Sequence, residues 1–516
     1  MRNRNNPALA GWPLLLAMPL AAQTPPEAQP QPTRAIQQPL SGRTGQPGGV
    51  ATVQTPQPGG GAQSVNTINS TVQVQGAYQG SVPSAAKAGA PINLSLDDAL
   101  RRGLETNLGT VEYTQAVRQA NGLTKSARSS LLPTISTDAL VNEQQINLAA
   151  LGFTSIKLPV GAGFSFPTVI GPFHYMDARA GLAQTLLDYT RLRNYRAARQ
   201  NGEAVQFAAQ DARDLVVLAV TGAYLQVISS YARVDSSRAQ VETARATYQQ
   251  AFDRHNAGLA ARIDVTRSQV ELQTNQQRLT SVENDLAKQK ISLGRLIGLP
   301  PGQEYSLTDA LPYAPLSDIT LDQALQRAAA TRADLKSAES QVRAAETTKR
   351  AAEAERYPTV DLAGDYGVIG PTFANSHGTF SVTGTVRFPV FQGGRVQADV
   401  EQADAALQQR RAEYEDLKGR IDADVRSAFL DLTSAASQVS VAQSNRGLAA
   451  ETLAQARDRF TAGVADTVEV VQAQEAVATA EQDYIAALFA HNLAKASLAR
   501  AMGQADRNIR QFLGRP

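Results

Sequence analysis

The stretch LSLDDALRRGLETN (residues 94–107) returns as ITLDQALQRAAATR (residues 319–332). Leu96, Ala99, Leu100 and Pro133 reappear as Leu321, Ala324, Leu325 and Pro358, each 225 positions on. Farther along the offset falls to 205: Arg254, Ala257, Gly258, Val265 and Gln269 match Arg459, Ala462, Gly463, Val470 and Gln474. A unit of this length written twice is a duplicated structural element, not a pair of unrelated domains.

Each copy reads helix, strand, loop, strand, very long helix, turn, helix. The first spans 92–300 and the second 319–503, with a linker at 301–318. A helix is expected from 95 to 131, with Asp97 and Asp98 at the positive end of its dipole and Pro133 marking its end. Its copy runs from 320 to 356 and stops before Pro358.

Alternation after each proline predicts β-hairpins at 133–187 and 358–391. Ile135, Ala139 and Val141 oppose Ser136 and Asp138; Val360, Leu362, Tyr366 and Val368 oppose Thr359, Asp361, Ala363 and Asp365. The return strand of the second copy is clearest, with Phe380, Val382, Val386, Phe388 and Val390 against Ser381, Thr383, Thr385 and Arg387. Its first-copy partner, 177–187, alternates more weakly. Period two over about ten residues fits a strand between lipid and water, and it fits a half-buried strand of a soluble sheet equally well. The loop expected at 143–176 is long, and its counterpart at 369–379 is short, which accounts for the change of offset.

Long helices follow at 192–256 and 395–461, and return helices at 262–298 and 467–503. Val220, Val227, Val234, Val241 and Tyr248 recur every seventh residue, as do Val265, Leu272, Leu279, Leu286 and Leu293. The copies carry Val425, Leu432, Val439, Leu453 and Phe460, with Arg446 as an exception, and Val470, Val477, Tyr484, His491 and Leu498. Sustained sevens mean helices coiled around neighbours. A long helix of this size reaches about 100 Å, and two flanking helices end to end match it. Four strands cannot close a barrel, and an open edge in lipid leaves backbone groups unpaired. If the strands lie in a membrane, several chains must share one barrel, and three chains would give 12 strands.

Composition agrees. Aromatics make up 6 % of the chain, while Ala, Gln, Ser and Thr abound, which suits long helices better than large cores. A net charge of +2, from 49 basic and 47 acidic residues, gives no electrostatic case for a nucleic-acid partner. There is no cysteine, hence no disulfide, thiolate site or lipid anchor on Cys. Arg2 and Arg4 before an uncharged stretch ending in Ala21 and Ala22 are expected to form a signal peptide at 1–22. Residues 23–91 hold ten of the 25 prolines and four charges, so a disordered linker is expected there. A tail follows at 504–516.

No residues assemble into a catalytic pattern, and nothing calls for a cofactor or metal. The histidines (His174, His255, His377, His491) are scattered, and His491 sits on a heptad seam. FQGGR (391–395) reads as a strand-to-helix turn that uses Gly393 and Gly394 for unusual backbone angles.

The chain resembles the TolC family of outer-membrane efflux proteins from about Asn93 to Gly503. The resemblance is carried by the helix tips RHNAGLAARIDVTRSQ (254–269) and RFTAGVADTVEVVQAQ (459–474), and by the junctions QTLLDYTRLR (184–193) and FPVFQGGRVQ (388–397). It implies an α+β membrane protein: a homotrimer with a shared 12-strand β-barrel in outer-membrane lipid, continued by an α-helical tunnel across the periplasm. It also implies two partners, a periplasmic adaptor and an inner-membrane efflux or ABC transporter. In that reading Arg254, Ala257, Gly258, Leu259, Arg459, Ala462, Gly463 and Val464 form the periplasmic entrance and meet the adaptor. Glu469, Asp264 and Gln472 are candidates for an entrance constriction. The family's closed entrance uses two acidic rings and an arginine; here Gln472 stands at the second acidic position and Ala465 at the arginine position. Capping chemistry is the competing reading of Asp466 and Glu469. A periplasmic adaptor and a structural coiled-coil envelope protein are the alternatives for the whole chain.

Overall fold

The computed structural model describes residues 49–57, 67–83, 90–150, 168–309, 313–315 and 319–513. The expected signal peptide, and 514–516 of the tail, lie outside them. The elements begin with β1 (Val50–Gln57), β2 (Thr67–Val74), β3 (Ile92–Leu94), α1 (Leu96–Thr106), α2 (Leu108–Ser129), β4 (Thr134–Asn147), β5 (Val169–Leu187), α3 (Tyr189–Asn256) and α4 (Arg262–Leu296). After β6 (Tyr305–Leu307) come α5 (Leu321–Thr331), α6 (Ala333–Ala354), β7 (Thr359–Gly370), β8 (His377–Arg387), α7 (Arg395–Thr461), α8 (Thr467–Ala501) and α9 (Ala505–Phe512).

The single helix expected at 95–131 is two helices. Asn107 breaks it with an extended backbone (φ −62°, ψ 134°), and its Oδ1 accepts from Gly109 N at 2.9 Å to cap α2. Its Nδ2 donates to Tyr78 O at 2.9 Å and to Leu296 O at 3.4 Å, so α2 starts where α4 ends. The second half breaks at the equivalent Arg332, whose side chain is 6 % exposed and bonds Asp334 at 2.6 Å and Asp424 at 3.2 Å. Helical periodicity continues across both breaks, so the apolar pattern does not reveal them.

Strands β4, β5, β7 and β8 form one antiparallel sheet in that order. They run farther than alternation indicates. β4 and β5 reach Asn147 and Val169 inside the expected 143–176 loop, and β7 and β8 shorten the other loop to the residues between Gly370 and His377. Backbone pairing such as Asn142↔Tyr175 continues through polar residues, because the ladder does not need apolar side chains.

Below the sheet the helices make one layer. In the upper part α2 packs on α3, α3 on α6 and α6 on α7; lower down the order is α4, α3, α8, α7. The heptad residues Val220, Val227, Val234 and Val241 are buried, as are Val425, Leu432, Val439 and Phe460. Arg446, the exception, lays its guanidinium 5.1 Å from the Tyr484 ring centroid and pairs with Glu481 at 2.6 Å, so its stem covers the seam and its charge stays at the rim. Gly393 and Gly394 take φ of +59° and +82° and open α7, as the FQGGR turn requires.

At mid-height a compact body packs against one face of the layer. It is built from α1, α9 and the parallel pair β3–β6, and its core includes Leu94, Leu96, Tyr224, Leu293, Leu498 and Met502. The C-terminal tail contributes α9, with Ile509 and Phe512 buried. Part of the linker expected to be disordered is also structured. β1 and β2 pair from Val50↔Val74 to Gln57↔Thr67, and Val72 and Val74 pack on the core. Val72 and Val74, alternating on β2, and Val50, opposite Val74 on β1, overcome the low overall apolarity of that segment because a helix surface is available to receive them.

Lys495 is fully buried here, and its ammonium donates to Ala314 O. Burial pulls its pKa down to about 8. His491, one turn away, is pushed by burial to about 4 and is neutral above that. Between about pH 8 and 10 the unfolded chain holds a proton that the folded one has shed, so stability rises with pH. Lys495→Met should raise stability at neutral pH by up to about 3 kcal/mol and flatten that rise. Denaturant titrations across the range check this, and equal slopes for both proteins would exclude Lys495 as the source.

Candidate functional site

The sheet has two chemically opposite faces, and the register defines them. Ile135 pairs with Leu182, Tyr366 with Phe380 and Val360 with Val386 on one face. This face is apolar and open: Ile135 is 74 % exposed, Phe380 78 % and Val382 72 %. The opposite face carries Asp138, Asp177, Arg179, Asp361, Asp365 and Ser381. There Arg179 binds Asp177 on its own strand and Asp365 of β7 at 3.1 Å, and Asp365 accepts from Ser381 of β8. Thr185 donates to Asp361 at 2.7 Å. A sheet with an uncovered apolar face and a hydrogen-bonded polar face suits lipid on one side and water on the other. At 11 to 19 residues, the strands are long enough to span a bilayer.

The other end of the molecule is built by two matching helical turns. Gly258 and Gly463 both have φ of +73°. Leu259 N donates back to Arg254 O at 2.8 Å and Gly258 N to His255 O at 2.9 Å. Val464 N to Arg459 O, at 3.0 Å, and Gly463 N to Phe460 O, at 3.1 Å, repeat the pattern. These are Schellman closures, which need a left-handed residue where the glycines stand. Leu259 and Val464, which follow them, are 72 % and 73 % exposed.

The duplicated arginines have diverged. Arg254 crosses to the second hairpin, stacking 4.6 Å from the Phe460 ring centroid and donating to Phe460 O at 3.0 Å. Arg459 stays within its own hairpin and pairs with Glu469 at 3.0 Å. Asp466 caps α8, accepting from Val468 N at 3.1 Å and Glu469 N at 3.2 Å, so the capping role falls to Asp466 and leaves the Glu469 carboxylate to Arg459. Asp264 lies in the first turn of α4, 3.8 Å from Arg267, and Gln472 is exposed on α8. Ala257 and Ala462 are the helix C-caps.

Two ties between the hairpins lie outside the sequence reading. One is Arg254 to Phe460. The other is buried Gln474, whose Nε2 donates to Thr247 Oγ1 at 2.7 Å across α8 and α3. Gln474 stood out only as a repeated residue, and Phe460 as a heptad position. Neither pattern names a partner on another helix.

A lipid-facing sheet continued by a helical stalk with hairpin tips defines a membrane conduit. The chain belongs to the outer membrane efflux protein family, whose pattern it matches over residues 104–299 and 324–504. It is similar to the pyoverdine export outer membrane protein OpmQ of Pseudomonas aeruginosa, 23 % identical over 439 residues, covering 83 % of this chain and 88 % of the relative. It is also similar to outer membrane protein OprJ of Pseudomonas aeruginosa, 24 % identical over 434 residues, covering 79 % and 84 %. Its fold matches that of the outer membrane protein VceC of Vibrio cholerae with a TM-score of 0.65 at 18 % identity, covering 79 % of this chain and 96 % of that one. The protein is thus an efflux channel of the outer membrane.

Arg254→Ala removes a cation–π contact and a charged hydrogen bond, together worth about 1–2 kcal/mol. Amide hydrogen exchange in the last turns of α3 and α7 should speed up about tenfold, while that at mid-height stays unchanged. Unaltered exchange at the tips would show that the crossing contact does not hold them together.

Proposed function

We infer that three copies close edge to edge, giving a 12-strand barrel above a tunnel of 12 helices, and that a periplasmic adaptor joins the tips to an inner-membrane efflux or ABC transporter. One observation carries this reading: sheet and stalk end on matching edges. β4 bounds the sheet on one side and β8 on the other, while α2 and α4 bound the helix layer on one side and α7 on the other. Each edge strand has pairing groups left to satisfy. The edge helices carry uncovered apolar residues: Ile263, Val270 and Ile291 on α4, and Leu430, Val441 and Leu448 on α7. A second copy, turned about an axis along the stalk, meets α4 with α7 and β4 with β8. Cargo would pass through the conduit without chemistry, and the transporter would choose it.

Leu259 and Val464, apolar and open at the tips, support adaptor docking there. Glu469 supports an entrance constriction from the second hairpin. Paired with Arg459 it forms a balanced set of charges, and Asp264 and Gln472 would stand nearby with lesser roles. Glu469→Gln leaves Arg459 uncompensated, so three positive charges appear at the mouth. In planar bilayers under a salt gradient the reversal potential should move toward anion preference, and Arg459→Gln should move it the opposite way. A reversal potential indifferent to both substitutions would place this pair away from the ion path. A chain that stays monomeric without detergent would remove the tunnel reading itself.

A further inference from the structure

A wall one helix thick has two faces, and contacts on α3 and α8 show what covers each. Positions two apart on a helix point about 200° from one another. On α3, Tyr224 donates to Leu94 O at 3.1 Å and to Asp309 Oδ2 at 2.6 Å, so it faces the β3–β6 pair. Two residues earlier, at Gly222, Val72 of β2 sits where a Cβ would be. The same division holds on α8. Lys495 donates to Ala314 O, and the His491 ring lies 5.5 Å from that of Tyr313, both on residues between β6 and α5. Two residues beyond each, Leu493 borders the Gly222–Val72 contact and Ser497 Oγ lies 3.0 Å from Thr52 Oγ1 of β1. Two helices therefore agree that the β1–β2 ribbon and the mid-height body clasp the wall from opposite sides.

We propose that the β1–β2 ribbon lines the bore of the tunnel at mid-height and narrows it, acting as an uncharged size filter. This rests on the tunnel reading above. Twelve helices about 10 Å apart enclose a bore about 27 Å wide. Three copies of the body, each with α1, α9 and a strand pair, overfill that space, so the body belongs outside. Three ribbons, each about 10 Å wide and about 10 Å deep, take about half of the cross-section and leave a passage. The ribbon has the right surfaces. Val50, Thr52, Val72 and Val74 share the face toward the helices, while Ala51, Thr71 and Gln73 are exposed on the other. β1 and β2 contain no charged residue, so the constriction discriminates by width and not by charge sign.

The absence of cysteine makes a clean test possible. Gln73→Cys places a thiol on the ribbon, and Arg507→Cys places one on exposed α9 of the opposite face. A small charged methanethiosulfonate should lower the single-channel current of Gln73→Cys and leave that of Arg507→Cys unchanged. A maleimide carried on a polymer wider than the bore should label Arg507→Cys in intact trimers, and Gln73→Cys only after denaturation. Deleting residues 49–75 should raise conductance by up to about twofold, following the freed cross-section. Polymer labelling of Gln73→Cys in the intact trimer, or a current indifferent to the small reagent, would overturn the proposal while leaving a working channel. Failure of the unsubstituted chain to form trimers or channels would instead remove the tunnel reading beneath it. If the deletion fails to assemble, the two thiol measurements decide alone.

Discussion

The backbone of the two edge strands sets the terms for the rest of the molecule. In lipid an unpaired N–H or C=O costs several kcal/mol. β8, 11 residues long, turns alternate backbone groups toward its open edge, and β4 does the same on the other side. The summed cost exceeds the whole stability of an ordinary domain. The edges must therefore find partners, and the proposed antiparallel β4–β8 join between copies would supply them without a new kind of interface. Duplication makes such a join possible, because each half brings a hairpin and each chain ends on two complementary edges.

The same constraint passes from sheet to stalk through very short connections. Asp188 alone separates β5 from α3, and it caps the helix by accepting from Arg191 N at 2.9 Å. β8 reaches α7 through a turn closed by Gly393 and Gly394. With so little slack, neighbouring strands hand their order directly to neighbouring helices. The long helices then need to bury only a narrow seam, which explains why small residues and surface ion pairs suffice along them. Mid-height is different: α3 and α8 are covered from both sides, and polar groups such as Lys495 and His491 are drawn into the interior.

The sequence revealed the elements more readily than the contacts between them. Repetition exposed the two halves, period seven exposed the seams, and period two exposed Phe380, Val382 and Val386 on one face. These signals are local and redundant. The breaks at Asn107 and Arg332 were hidden because they depend on hydrogen bonds to distant residues, Tyr78 and Asp424. The β1–β2 ribbon was hidden because composition averages over a segment in which a few valines decide the outcome. At the tips, glycine at a helix end was legible because left-handed backbone has few alternatives to glycine. The partner of each arginine was not, since the two copies share Arg and Gly while differing in what lies opposite.

That difference bears on how the stalk can move. Were Arg254 and Arg459 equivalent, the six hairpins of a trimer would approach sixfold symmetry, and no single joint would yield first. Instead Arg254 ties the first hairpin to the second, whereas Arg459 only steadies its own through an exposed pair, of a kind worth at most about 1 kcal/mol. Gln474 adds a buried tie between the same two hairpins, between helices α3 and α8. Within a chain the hairpins are thus bound twice. Between chains, the proposed join would bring α4 against α7, whose uncovered apolar residues include Ile263, Val270, Leu430 and Val441. These two ties oppose any motion at the tip that would split the hairpins of one chain from each other.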